Sequence, residues 1–132
     1  MKLLEAILVS IIAVLAPIEP IMMTTGVLIL IDLILGILAA KKLGHPITSA
    51  ALRRTVSKML VYQLTLISGF LCEKYLLDGA LPITKLVAAV IGAVELKSVF
   101  ENADIINGGS VFRVLIQQLG SSNDKPEDKS KD

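Results

Sequence analysis

The chain has 132 residues, 54% of them hydrophobic, and its 13 Lys and Arg nearly balance 12 Asp and Glu. A mean hydropathy of +0.74 exceeds what a water-soluble domain of this size needs to fill one core, so the composition is that of an integral membrane protein. The lone cysteine, Cys72, excludes an intrachain disulfide, and His45, in a Gly-His-Pro turn, belongs to no metal-ligand set. No serine or cysteine stands beside a base and no glycine loop could cradle phosphate, so neither catalysis nor a cofactor is expected. The basic residues between Lys41 and Lys58 carry no interleaved aromatics and lie between apolar segments, which argues against nucleic acid as a partner.

Leu3 to Ala16 is apolar but only 14 residues long, closer to an interfacial or re-entrant helix than to a full span. Pro17 and Pro20 are expected to end it. Lys2 and Val14-Leu15-Ala16 resemble the ends of a cleavable signal, but Glu5 interrupts the apolar run and Pro17 would follow the cut. Ile21 to Ala40 then gives 20 residues with one charge, Asp32, near the middle. At about 1.5 Å per residue such a helix reaches roughly 30 Å, the thickness of a bilayer's hydrocarbon core. A carboxylate there costs on the order of 2.5–3.5 kcal/mol on insertion scales, so Asp32 is expected to face other helices or water.

Lys41, Lys42 and Leu43-Gly44-His45-Pro46 close that segment. The next begins at Thr48 or Ser49, is uncharged from Met59 to Cys72, and ends at Glu73, Lys74 and Asp78-Gly79. Lys58 and Lys74 can extend their ammonium groups toward the two interfaces, which allows this helix to span. A further span starts near Leu81-Pro82 and is apolar from Leu86 to Val94 before Glu95. Ser110 to Gly120 has the spacing of an amphipathic helix, and 121–132 contains no apolar residue and is expected to be disordered.

The expected fold is therefore an all-α integral membrane bundle. It has three transmembrane helices, a short N-terminal hydrophobic helix that could add a fourth, and a C-terminal amphipathic helix. Its divisions fall at 1–20, 21–107, 108–120 and 121–132. Lys41, Lys42, Arg53, Arg54 and Lys58 outnumber Lys74 and Lys85 of the next connection, which orients the first loop, and with it the C-terminus, toward the cytoplasm.

On a helical wheel Thr25, Leu28, Asp32, Gly36 and Ala39 share one face. Thr55, Lys58, Tyr62, Thr65, Gly69 and Glu73 form a second stripe, and Lys85, Ala88, Gly92, Glu95, Val99 and Asn102 a third. Ala88-xxx-Gly92 and Ala89-xxx-Ala93 allow close backbone approach. Asp32 and Glu95 fall in the same half of the bilayer, with Lys58 as the nearest partner for either. Three such stripes could equally bury their polar groups against one another in a non-conducting bundle. The Lys97 and Glu101 pair, four apart on the opposite face near the helix end, reads as an exposed surface pair worth a few tenths of a kcal/mol at most.

Two patterns carry a family resemblance. Asp32-Leu33-Ile34-Leu35-Gly36 with Ala39-Ala40-Lys41, and Glu95-Leu96-Lys97-Ser98-Val99-Phe100-Glu101-Asn102, resemble the toxin-secretion and phage-lysis holin family over roughly Val27 to Leu119. Ser49 and Lys58 are similar to that family's serine after the loop and lysine entering the next helix. The resemblance implies oligomerisation in the bacterial cytoplasmic membrane and formation of lesions that release a cell-wall hydrolase or a large toxin. It makes Asp32 and Glu95 expected determinants of assembly and pore lining, and Gly36 and Gly92 expected packing contacts. Ser98 belongs to the matching motif, and Glu101 with Asn102 would be a cap or inter-subunit clasp. The competing classes are a small ion- or proton-coupled transporter and a non-conducting scaffold. Against the transporter stand the scarcity of aromatics, two Tyr, three Phe and no Trp, and the lack of an inverted repeat.

Overall fold

A computed structural model describes residues 1–110 together with 113, 114, 117 and 118. Of the expected amphipathic helix at 108–120, residues 108–110, 113, 114, 117 and 118 are among them, and the Arg113 N–H donates to Ser110 Oγ (3.1 Å), whereas the charged tail at 121–132 lies wholly outside. The described residues fold as helices α1 (Lys2–Leu15), α2 (Glu19–Lys42), α3 (Ser49–Leu71) and α4 (Ile83–Asn107), and no strand occurs among them.

As expected, the first α-helix ends at Leu15, just before Pro17, but the prolines do not end the helical path. A short 3-10 turn, Ala16–Ile18, joins α1 to α2, and each proline occupies one of the first two positions of its helical segment. The missing N–H is harmless there, because no earlier carbonyl in that segment requires it. The result is one helical stretch, Lys2–Lys42, of 41 residues, about 60 Å long and so about twice the hydrocarbon thickness. Among the described residues, none buries a side chain of α1, whereas α2 buries Thr25, Ile29 and Ala39.

Among the described residues two stretches are long and apolar enough to cross a membrane, Lys2–Lys42 and Ser49–Leu76. The sequence reading expected a third in α4. That helix differs because Lys85, Glu95, Lys97, Glu101 and Asp104 dilute its apolar content. It is nevertheless integral to the bundle, since α2 and α4 form the most extensive helix pair.

The turns explain the helix directions. After α2 the N–H of Gly44 bonds to Lys41 O (3.1 Å) and that of His45 to Ala40 O (2.9 Å), with Gly44 at φ 72°. This double bond pattern satisfies the last carbonyls of the helix and requires a left-handed residue, which glycine supplies without a Cβ clash; Pro46 then blocks continuation. The chain returns as α3, which ends in a π-helical turn, Cys72–Leu76. Glu73 Oε2 accepts the N–H of Thr84 (2.8 Å), so the end of one helix caps the start of the next. Lys74 lies 5.4 Å from the centre of the Phe70 ring and 5.3 Å from that of Tyr75. At the opposite end, Lys42 Nζ donates to Ile106 O (2.7 Å), so α2 and α4 run parallel with their C-termini together and α3 runs against both.

Candidate functional site

Between these helices lie two polar layers. The charged one is centred on Lys58, in the second turn and a half of α3. Its Nζ donates to Asp32 Oδ2 at 2.9 Å on α2 and to Glu95 Oε2 at 2.7 Å on α4. Asn102 Nδ2, two turns beyond Glu95, donates to Asp32 Oδ1 at 3.1 Å. A Cβ on Gly36 would lie 3.6 Å from that amide nitrogen, so Gly36 sits directly beside the Asp32–Asn102 bond. One side chain from each core helix, plus the amide, therefore meet at one level.

The cluster is unevenly solvated. The Glu95 side chain is 0% exposed, Asp32 15% and Lys58 26%. Asp32, Lys58 and Asn102 form the wall of a cavity of about 260 Å³, which continues past Gly36, Thr55 and Arg54 to the loop residue Thr48. Glu95 lies on the dry side of Lys58. Its Oε1 is buried and makes no hydrogen bond of standard geometry among the described residues, while the Tyr62 hydroxyl stands close enough to the same carboxylate to donate one.

Charge counting gives the site its chemical character. Two carboxylates face one ammonium, so with all three ionised the cluster carries one net negative charge. Taking ions from water costs several kcal/mol each, and a low-dielectric site recovers this only with good geometry and full hydrogen bonding. Asp32 meets that condition, with both oxygens bonded. Glu95 does not, with one oxygen bonded and one unmatched. The cluster holds the helices together while leaving an unsatisfied acid that gains from any better partner.

The second layer is neutral. Gln63 Nε2 donates to Met22 O (3.0 Å) and to Thr25 Oγ1 (3.3 Å), linking α3 to α2. Thr25 is buried, and its hydroxyl also donates to Met22 O (3.0 Å). Gln63 Oε1 and Thr84 Oγ1 are buried without partners among the described residues. Gln63 was missed by the wheel reading, which took Tyr62 for the stripe. The signal was an amide inside an otherwise uncharged span, where a polar group must find a partner.

Of the residues singled out from sequence, Asp32, Gly36, Lys58, Glu95 and Asn102 come together. Ser98 is half-buried on the same helix. Gly92 is half-buried as well, but a Cβ there would meet nothing within 4 Å. Glu101 points away from its neighbour Asn102 and pairs outside with Lys97 (3.4 Å). Lys42 docks on the end of α4, Arg54 lines the cavity mouth, and Lys41 and Arg53 are exposed.

A compact set of apolar helices enclosing a bridged pair of acids defines a helical membrane protein with a polar interior. The model of the bacteriophage holin family matches residues 9–121, which takes in α2, α3, α4 and the whole charged layer. The chain belongs to the bacteriophage holin family. No curated protein and no solved structure matches it.

Proposed function

We propose that this holin crosses the bacterial cytoplasmic membrane with α2, α3 and α4, oligomerises there, and forms lesions that release a cell-wall hydrolase or a large toxin. The observation that carries the proposal is the Lys58 cluster, a bridged pair of acids at the middle of membrane-length helices with one carboxylate oxygen unmatched. In a lone protomer Lys58 holds Asp32 and Glu95 inward. When protomers gather, the same acids gain water or neighbouring donors, so association favours the state in which the cluster opens. Asp32 and Glu95 then line the lesion, Gly36 sets helix approach beside Asn102, Gly92 leaves space that a neighbouring helix can enter, and Ser98 and Asn102 position the open helix. In this reading the 43–48 loop, with Lys41, Lys42, Arg53 and Arg54 around it, faces the cytoplasm together with the C-terminus, a reading supported by the excess of basic residues there and by the shared end of α2 and α4.

Controlled expression in a bacterium with a co-expressed cytoplasmic hydrolase tests this. Abrupt loss of viability with hydrolase outside the membrane is expected. pH-dependent uptake without killing would support a transporter instead, and an intact permeability barrier would support a scaffold. Asp32→Asn and Glu95→Gln should each shift the onset of lysis; unchanged onset in both would remove the acids from the mechanism.

A further inference from the structure

The outward face of α4 carries an ion pair at the depth where the inward face is most buried. Lys97 Nζ lies 3.4 Å from Glu101 Oε1, and the two side chains are 74% and 64% exposed. Their depth follows from the neighbours on the same helix. Lys97 is two residues past Glu95, and Glu101 directly precedes Asn102. Glu95 meets Lys58, and Asn102 meets Asp32, so the outer pair is bracketed by the charged layer. Gly36 lies beside Asn102 and Lys42 reaches Ile106 O, so on α4 Lys97 and Glu101 lie ten and six residues, about 15 and 9 Å, inside the Asn107 end.

At that depth an exposed ion pair needs cover. Lipid tails offer neither donors nor acceptors, and a charged group there is tolerated when it faces protein or water. The surroundings are otherwise apolar and small: Leu86, Val90 and Val94 are exposed on this side, and Ala89 and Ala93 continue the line toward Lys97 at intervals of four residues. Ala88 and Gly92, by contrast, are half-buried inside the protomer. The outer face thus has small residues that admit a second backbone and, one turn further, opposite charges.

We propose that this face of α4 is the contact between copies of the chain, with Lys97 of each copy pairing with Glu101 of the other. The inference rests on the membrane-spanning reading of α4. Charge complementarity identifies the occupant. Two copies inserted in the same direction about a twofold axis along the membrane normal bring Ala93 against Ala93. Each Lys97 then lies about 6 Å along the axis from the other copy's Glu101, within reach of its long side chain. Contact through this face leaves the Lys58 cluster closed, so first association and cluster opening are separate steps.

Disulfide cross-linking of the full chain in cell membranes tests this. In a Cys72→Ser background, Ala93→Cys should give dimers at least fivefold more efficiently than Leu60→Cys on the exposed side of α3. Adding Lys97→Glu or Glu101→Lys to the Ala93→Cys chain should each cut the yield at least fivefold by repulsion across the contact. Co-expressing the two reversed chains should restore it to within twofold, although neither then has its own internal pair. Equal yields from Ala93→Cys and Leu60→Cys, or no rescue by co-expression, would overturn the proposal. The unreversed comparison decides alone if a reversed chain does not accumulate. Cross-linking without lysis would retain this contact and reject the lesion reading; lysis without Ala93 cross-linking would do the reverse.

Discussion

The two polar layers of the bundle solve the same problem with different tolerances. The neutral layer joins α3 to α2 by an amide that reaches a backbone carbonyl and a threonine hydroxyl, groups that cost little to bury once paired. The charged layer joins three helices through one ammonium and remains beside an open cavity. The first can only hold register. The second holds register and can also be undone, because water or another protomer offers its carboxylates something better than half-satisfied burial.

Removing the bridge should have the largest effect of any single substitution in the two layers. Lys58→Met leaves two acids without their cation, and loss of one partner from a buried ionic group costs about 3–5 kcal/mol. Unfolding by SDS titration in mixed micelles should show that loss, and a change below about 1 kcal/mol would mean that the ionic layer does not hold the bundle. Glu95→Gln should cost less, at most about 1.5–3 kcal/mol for a charge-assisted bond, because it also removes the excess negative charge. If it destabilises more than Lys58→Met, the charge count is the wrong description of the site. Gln63→Leu should fall near the average for polar contacts between membrane helices, about 0.6 kcal/mol, since its carbonyl oxygen is already unmatched. A loss as large as that of Lys58→Met would erase the distinction between the layers. Smallest of the four is Lys42→Ala, which removes one solvent-exposed donor from the end of α4 and should cost about 0.3 kcal/mol in the same titration.

The outer pair sharpens the lesson, because Glu95 and Lys97 are two residues apart on one helix and face opposite worlds. A wheel drawn from sequence separates their directions but assigns no depth. Depth came from a cross-helix bond: Asn102 to Asp32 sets α4 against α2, and with it the level of everything between Glu95 and Asn102.

Sequence by itself determined the helical class, the apolar lengths of α2 and α3, the turn at Gly44 and the stripes bearing Asp32, Lys58 and Glu95. These follow from local rules, namely rise per residue, the 3.6-residue period and the φ that only glycine adopts cheaply. Tertiary structure decided what those rules do not reach. The helical path continues past Pro17 and Pro20 because each begins a helical segment, and α4 packs against α2 despite its charges. Lys58 bridges both acids, Gln63 reaches the Met22 carbonyl, and Glu101 and Asn102, adjacent in the chain, part company. Each of these is a choice between partners distant in sequence, made by how three helices pack, and pairwise distances of that kind have no signature in periodicity.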